Sequence, residues 1–298
     1  MAVAPAVFII NFGAPMTTKQ PFTYVLVGHV TKDLHQNGNF SIGGTVTYAT
    51  AVVKKLDWRP VVITTAAPDF EPIPFLRDVK WHVLPSPATT TFRNVYNQHG
   101  HRQQTVGPVA APIRAADIPA SCRQASLIHL CPLTQELEPD IATAFGDARL
   151  TVTPQGWLRQ WDEQGRVSLG NWHHVDQLLP KLHTTVISIE DVEQDWSIAE
   201  DWASRANILV VTQGENGCTI FTQGDRISVP PRPAQPVDPT GAGDVFAAAF
   251  FIRYFETNDL RLSARFANVT ASMAIERNGP AGVPDRAEVE QYLAQHPV

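Results

Sequence analysis

Asp238-Pro239-Thr240-Gly241-Ala242-Gly243-Asp244 runs without interruption into Val245-Phe246-Ala247-Ala248-Ala249-Phe250-Phe251-Ile252-Arg253-Tyr254, a glycine-rich turn that opens directly into an apolar helix. Glycines at 241 and 243 let the backbone turn tightly and approach a ligand, and the start of a helix supplies unpaired N–H groups at the positive end of its dipole. Gly241, Ala242 and Gly243 therefore read as an anion cradle. The carboxylate of Asp244 then sits beside the place where a transferring phosphoryl group would be held, positioned to take the proton of an attacking alcohol. Taken alone, Asp244 is equally well a first-turn carboxylate stabilised by the dipole, and the glycines a turn. The full heptad ahead of an apolar helix favours the catalytic reading.

Around this motif, short apolar and β-branched runs at 24–28, 60–65, 126–130, 149–153, 185–189 and 208–212 read as buried strands, with helical segments at 49–56, around 178–182 and at 198–204. Such alternation predicts an α/β fold with a mostly parallel sheet covered by helices on both faces. Residues 36–42 and 81–109 break the rhythm and read as β-hairpin material outside the main sheet. Residues 1–22, with Pro5, Pro15 and Pro21, have no period and read as an added strand or strap. A helix is expected at 260–275, a break at 280–284 and a last amphipathic helix at 287–295.

A chain of 298 residues, 44% of them hydrophobic and without low-complexity tracts, is long enough for a large core. Its net charge of −6 and lack of any dense Lys/Arg run exclude an electrostatic grip on nucleic acid or anionic membrane, leaving a small molecule as the expected partner. No stretch approaches the ~20 apolar residues that cross a bilayer, and the apolar run at 6–10 is too short for a signal peptide, so a cytoplasmic location is expected. Cys122, Cys131 and Cys218 are scattered, without Cys-x-x-Cys spacing, and read as reduced structural thiols. The pairs His99/His101 and His173/His174 lack a third ligand at metal-site spacing and read as surface or structural histidines.

The heptad resembles the Asp-x-Thr-Gly-x-Gly-Asp motif of the ribokinase-like (PfkB) carbohydrate kinases, and the resemblance extends over most of the chain from Tyr24 onward. It implies one domain over 1–298 with a three-layer α/β/α fold, a mostly parallel central sheet and a small β-sheet lid at about 36–47 and 83–109. It further implies Mg-ATP as phosphoryl donor, Asp244 as base, Gly241 to Gly243 as anion hole, and a monomer or a homodimer formed through the lid. No Gly-x-x-x-x-Gly-Lys-Ser/Thr loop occurs, consistent with a family that does not use one.

Residue by residue, Asp33 looks like the family's substrate-binding Asp, and Gly43-Gly44 like its Gly-Gly at the lid-to-helix junction; each alone would be a turn or cap. Tyr48 stands where the family usually has Asn. With 89–92 leading to His99-Gly100-His101-Arg102, it suggests similarity to the plant-type myo-inositol kinase branch. Ser188-Ile189-Glu190-Asp191 replaces the family's Asn-x-x-Glu, making Asp191 or Glu190 the expected organiser of Mg²⁺, although an acidic helix start would look the same. Thr212, Gly214 and Gly217 resemble the nucleotide-side strand and turn, and Asn268 a position near the adenine. Asp238 and Thr240 match positions that in some members help to bind K⁺. Gln155 and Arg159 resemble an Asp-Pro-Asn-x-x-x-Arg stretch, with Arg159 expected in solvent. The implied activity is ATP-dependent phosphorylation of a sugar or cyclic polyol hydroxyl. An inositol-like ring is favoured because only Arg93 and Arg102 lie around the lid. The alternatives are a nucleoside or sugar-phosphate kinase, or a silent relative serving as a binding module.

Overall fold

In chain order the computed structural model, which describes residues 22–35, 37–96, 102–146 and 148–297, begins with β1 (Thr23–Val27). The strap expected at 1–22 lies outside the described residues except for Phe22, and so does the pair His99/His101. After β1 come the hairpin β2 (Thr31–Leu34) and β3 (Phe40–Gly43), helix α1 (Thr45–Lys55), β4 (Arg59–Ala66) and β5 (Lys80–Pro85). Next are β6 (Thr90–Tyr96), β7 (Arg102–Val106), β8 (Leu127–Leu130), β9 (Arg149–Val152), β10 (Arg159–Trp161) and β11 (Val167–Leu169). The chain continues through α2 (Val175–Leu178), β12 (Thr184–Ser188), α3 (Trp196–Ala203), β13 (Ile208–Thr212), β14 (Cys218–Thr222) and β15 (Asp225–Val229). It ends with α4 (Ala242–Thr257), α5 (Leu260–Ile275) and α6 (Arg286–Gln295).

Nine strands form the main sheet in the order β15-β14-β13-β12-β9-β8-β1-β4-β5, parallel from β13 to β5 and antiparallel at the β13-β14-β15 end. Strand alternation divides the core. Tyr24 and Leu26 point to a layer containing α1, α4 and α5, while Val25 and Val27 point to one built on α2, α3 and the short turns at 139–145 and 154–158. Helix α4 buries eight consecutive residues, Val245 to Ile252, which explains why its sequence is apolar all round instead of on one stripe. Helices α5 and α6 start on side-chain caps, Asp259 accepting from the Leu262 N–H and Asp285 from that of Glu288.

A second sheet, β3-β2-β6-β7, is formed by the segments expected to make the lid, and is called the lid below. It corrects two expected boundaries. Residues 81–85 belong to β5, paired in parallel with β4 from Val61↔Lys80 to Ala66↔Pro85, and so form the edge of the main sheet. None of these residues is fully buried, as on any edge strand, which sequence cannot distinguish from a lid strand. Residues 45–47 are the first turn of α1, because Gly44 with φ 88 ends the lid strand and starts the helix. The helix expected around 178–182 is the single turn α2 followed by a 3-10 turn at Leu179–Lys181 containing Pro180. Among the described residues no helix is long and apolar enough to cross a membrane.

Candidate active site

The glycine turn caps α4: Gly241 is its N-cap in the left-handed region, with φ 75, and its carbonyl accepts the Val245 N–H at 2.9 Å. A Cβ at 241 would collide with the ring of Tyr48, which α1 pushes against the turn, so both conformation and space require glycine. Asp238 braces the turn, one carboxylate oxygen accepting the Thr240 N–H at 3.0 Å and the other that of Gly279 at 3.1 Å. That carboxylate, expected at a K⁺ position, thus ties the heptad to the segment after α5.

Asp244 stands in the first turn of α4. Burial raises its carboxyl to about 6, opposed by a hydrogen bond from the Thr45 side chain and by the Arg159 charge, with Asp191 adding to the rise. Tyr48, 8% exposed, has its phenol pushed well up, first by burial and then by the carboxylates of Asp238, Asp244 and Asp33. The ring lies directly against Gly241. Asp33, on β2, pairs with Ser41 of β3 and its side chain reaches over Gly43; its Oδ1 accepts the Thr31 hydroxyl at 3.1 Å, and a Cβ on Gly43 would collide with Oδ2. Gly43 and Gly44 lead into α1, whose first residue bonds Asp244. One continuous segment therefore joins Asp33's lid strand to the Asp244 carboxylate.

On the other side, at the end of β12, Ser188 and Asp191 form a capping box: Asp191 Oδ2 accepts the Ser188 N–H at 2.8 Å, and Ser188 Oγ accepts that of Glu190 at 3.2 Å. Burial raises Asp191, against the Ser188 amide and Arg159, whereas Glu190 is exposed. The Asp191 charge adds to the rise at Asp244. No group of three or more His, Cys, Asp or Glu that could hold a metal occurs among the described residues. A single carboxylate suits Mg²⁺, which keeps several waters and is completed by phosphate oxygens.

Thr212 ends β13 and donates its hydroxyl to the Ile187 carbonyl at 3.2 Å. Gly214 opens and Gly217 closes the following turn, where Gln213 N–H reaches the Gly217 carbonyl at 2.8 Å. Asn268 is buried, its amide donating to the carbonyls of Val229 at 3.4 Å and Pro230 at 3.0 Å. It fastens α5 to the chain after β15. A cleft of about 410 Å³ lined by Thr23, Arg59, Lys80 and Ser121 opens at the opposite, N-terminal ends of the strands and contains none of these groups.

Arg159 departs from expectation: it is 7% exposed, not solvated. Its Nη1 donates to the Leu133 carbonyl at 3.1 Å and its Nη2 to Gln155 Oε1 at 2.8 Å, so the Gln-x-x-x-Arg spacing builds one unit. Glu136, unremarked in the sequence, is buried and accepts the N–H groups of His29 at 3.0 Å, Leu133 at 2.9 Å and Thr134 at 2.7 Å. His29 in turn meets the Ala111 carbonyl and the Thr90 hydroxyl. Three chain crossings between sheet and lid converge there. No local signal in the sequence marks Glu136, since its partners are backbone groups brought together by the fold.

Residues 176–286 match the family described as pfkB family carbohydrate kinase. The chain is similar to the ribokinase of Bacillus subtilis (strain 168), 34% identical over 41% of this chain but only 40% of that protein. It is also similar to the inositol 3-kinase of Arabidopsis thaliana, 26% identical over 86% of this chain and 74% of that one. A pyrophosphate-dependent kinase in the ribokinase family, solved with a pyrophosphate analog and myo-inositol, superposes with a TM-score of 0.75 and 21% identity over 90% of this chain and 99% of its own. This likeness shows the fold, a ribokinase-like α/β architecture.

Proposed function

We propose that this chain, whose residues 176–286 match the pfkB family carbohydrate kinase, is a kinase of that family and transfers the γ-phosphoryl group of ATP to a hydroxyl of a sugar or cyclic polyol. One observation carries the reading: the Asp244 carboxylate stands at the glycine-capped start of α4, linked through α1 to the lid carboxylate Asp33. In this reading Asp33 accepts hydrogen bonds from substrate hydroxyls and aims one of them at phosphorus. Asp244 takes its proton as the new O–P bond forms and the bond to ADP breaks. The backbone N–H groups of Gly241 to Gly243 and the α4 dipole hold the charge on the transferring oxygens. Asp191 is the residue that would organise Mg²⁺, whose chemistry is to neutralise the phosphate charge. Thr212, Gly214 and Gly217 face the nucleotide.

A neutral ring such as an inositol is favoured over a sugar phosphate. Lys32 is paired with Asp69 at 2.7 Å, and Arg159 is engaged with Leu133 and Gln155. Neither is arranged to neutralise a second phosphate, while a buried carboxylate acceptor discriminates sharply for hydroxyls. The breadth of the similarity to the inositol 3-kinase adds support. Three buried free thiols suit the reducing cytoplasm. The test compares kcat/KM for myo-inositol, ribose, fructose, a nucleoside and fructose 6-phosphate under identical Mg-ATP. Preference for the inositol is expected; preference for the sugar phosphate overturns the substrate, and no transfer to any of them overturns the activity.

A further inference from the structure

We infer that Arg159 is a positioning residue through which the seating of the lid on hairpin β10–β11 reaches the Asp244 carboxylate. The inference rests on the kinase reading of Asp244. The hairpin extends the lid: the Val106 N–H of β7 donates to the Gly165 carbonyl at 2.8 Å, and Thr105 bridges Arg166. Gly165, with φ 75, presses so close to the Val106 carbonyl that no Cβ fits between them. Phe92 and Val106 from the lid pack with Leu133 and with Val167 of β11. The lid therefore rests on the hairpin as well as on its own hinges.

Arg159 is the hairpin's first residue. Its guanidinium lies 5.2 Å from the centre of the Phe92 ring, a lid side chain 3% exposed. Among the described residues its Nη1 donates to the Leu133 carbonyl and its Nη2 to Gln155, and its positive charge opposes the rise of the Asp244 and Asp191 carboxyls. Leu133 is itself held by Glu136, which also holds His29 at the root of the lid. A planar fork with three fixed neighbours has little freedom, so moving Phe92 or the hairpin moves the guanidinium. An error of about 1 Å at the base is enough to slow transfer on the order of a hundredfold. Lid seating would thus be registered at the base without any lid residue touching it.

Three variants test this. Arg159→Lys keeps the charge and loses the fork; it should lower kcat by on the order of tenfold or more while KM for the polyol changes much less. Phe92→Leu keeps an apolar contact and loses the ring face. Combined with Arg159→Lys it should add almost nothing, because both changes cut one connection, whereas losses that multiply would overturn the inference. Gly165→Ala loosens the hairpin from the lid well away from the reacting atoms. It should speed exchange of the Val106 amide and lower kcat several-fold; faster exchange with unchanged kcat would sink the proposal. Exchange at Val106 is read without turnover and should rise on the order of tenfold in Arg159→Lys. If the wild-type protein phosphorylates no polyol, the kinase reading fails on its own, and unchanged exchange at Val106 in Arg159→Lys still decides against the mechanical link.

Discussion

Asp244 answers two opposed demands. Its carboxyl is raised from 3.8 to about 6 by burial, so in the pH range between those values the folded protein binds more protons at this site than the unfolded chain does. Stability therefore falls as pH rises through that window and stays lowered above it, on the order of 1–3 kcal/mol. In the proposed role of base, the same shift would bring Asp244 close to the operating pH, where proton transfer is most effective. Asp244→Asn should keep the fold, lower phosphoryl transfer by a factor on the order of 10² to 10⁴ and raise Tm by roughly 2–6 °C. A variant that keeps more than half of wild-type turnover would remove Asp244 from the role of base. In the wild type, kcat/KM should decline below an apparent pKa near 6, since only the ionised carboxylate accepts a proton; an acid limb centred near 4 would show that the carboxyl is not desolvated as described. At Gly241 the constraint is steric. Gly241→Ala meets the Tyr48 ring at φ 75 and should lose about 1–3 kcal/mol in urea unfolding along with most of the activity.

At the scale of elements, α1 and α4 set the geometry. Helix α1 leaves the lid at Gly44, presents Thr45 to Asp244 and Tyr48 to Gly241, and is buried over its first nine residues. Helix α4 is fixed by its apolar surround, with Phe250 fully buried and its ring 6.1 Å from that of Phe246. Phe250→Ala should cost about 3–5 kcal/mol by opening a cavity, while kcat measured well below the lowered Tm stays within a few-fold of wild type. Unfolding that is insensitive to this change would mean that α4 is not packed as a core element. The heptad and the helix after it could be read from sequence because turn chemistry and apolar composition are local. Strand β5 could not be assigned, since an edge strand of the main sheet and a strand of the second sheet look alike in sequence. Arg159 was misread as solvated because its burial depends on the Leu133 carbonyl, 26 residues away in the chain. A long charged side chain carries no local mark of where its head will lie.

For the whole molecule, the arrangement places every catalytic candidate at the carboxyl ends of the parallel strands, with the lid sheet above them, a location the α/β alternation anticipates. What the alternation leaves open is how the lid is carried. It stands on crossings near His29, Gly44, Thr90 and Ala111, and on the hairpin at Gly165, so in the proposed reading it would seat as one unit while the nine-stranded sheet stays fixed. Seating would exclude water, which competes with the substrate alcohol for the phosphoryl group. In the proposed reading, substrate hydroxyls would add hydrogen bonds to Asp33, beside the one from Thr31, and the nucleotide would supply the anion for the glycine turn. Each ligand alone satisfies one side of the gap, so full seating needs both. Amide exchange in β2, β3, β6 and β7 should accordingly slow much more with a polyol and a non-hydrolysable ATP analogue together than the two separate effects combined. Protection confined to α4 and the β13–β14 turn would show that the second sheet does not close over the substrate, and would leave the anion turn as the only part of the site that responds to ligand.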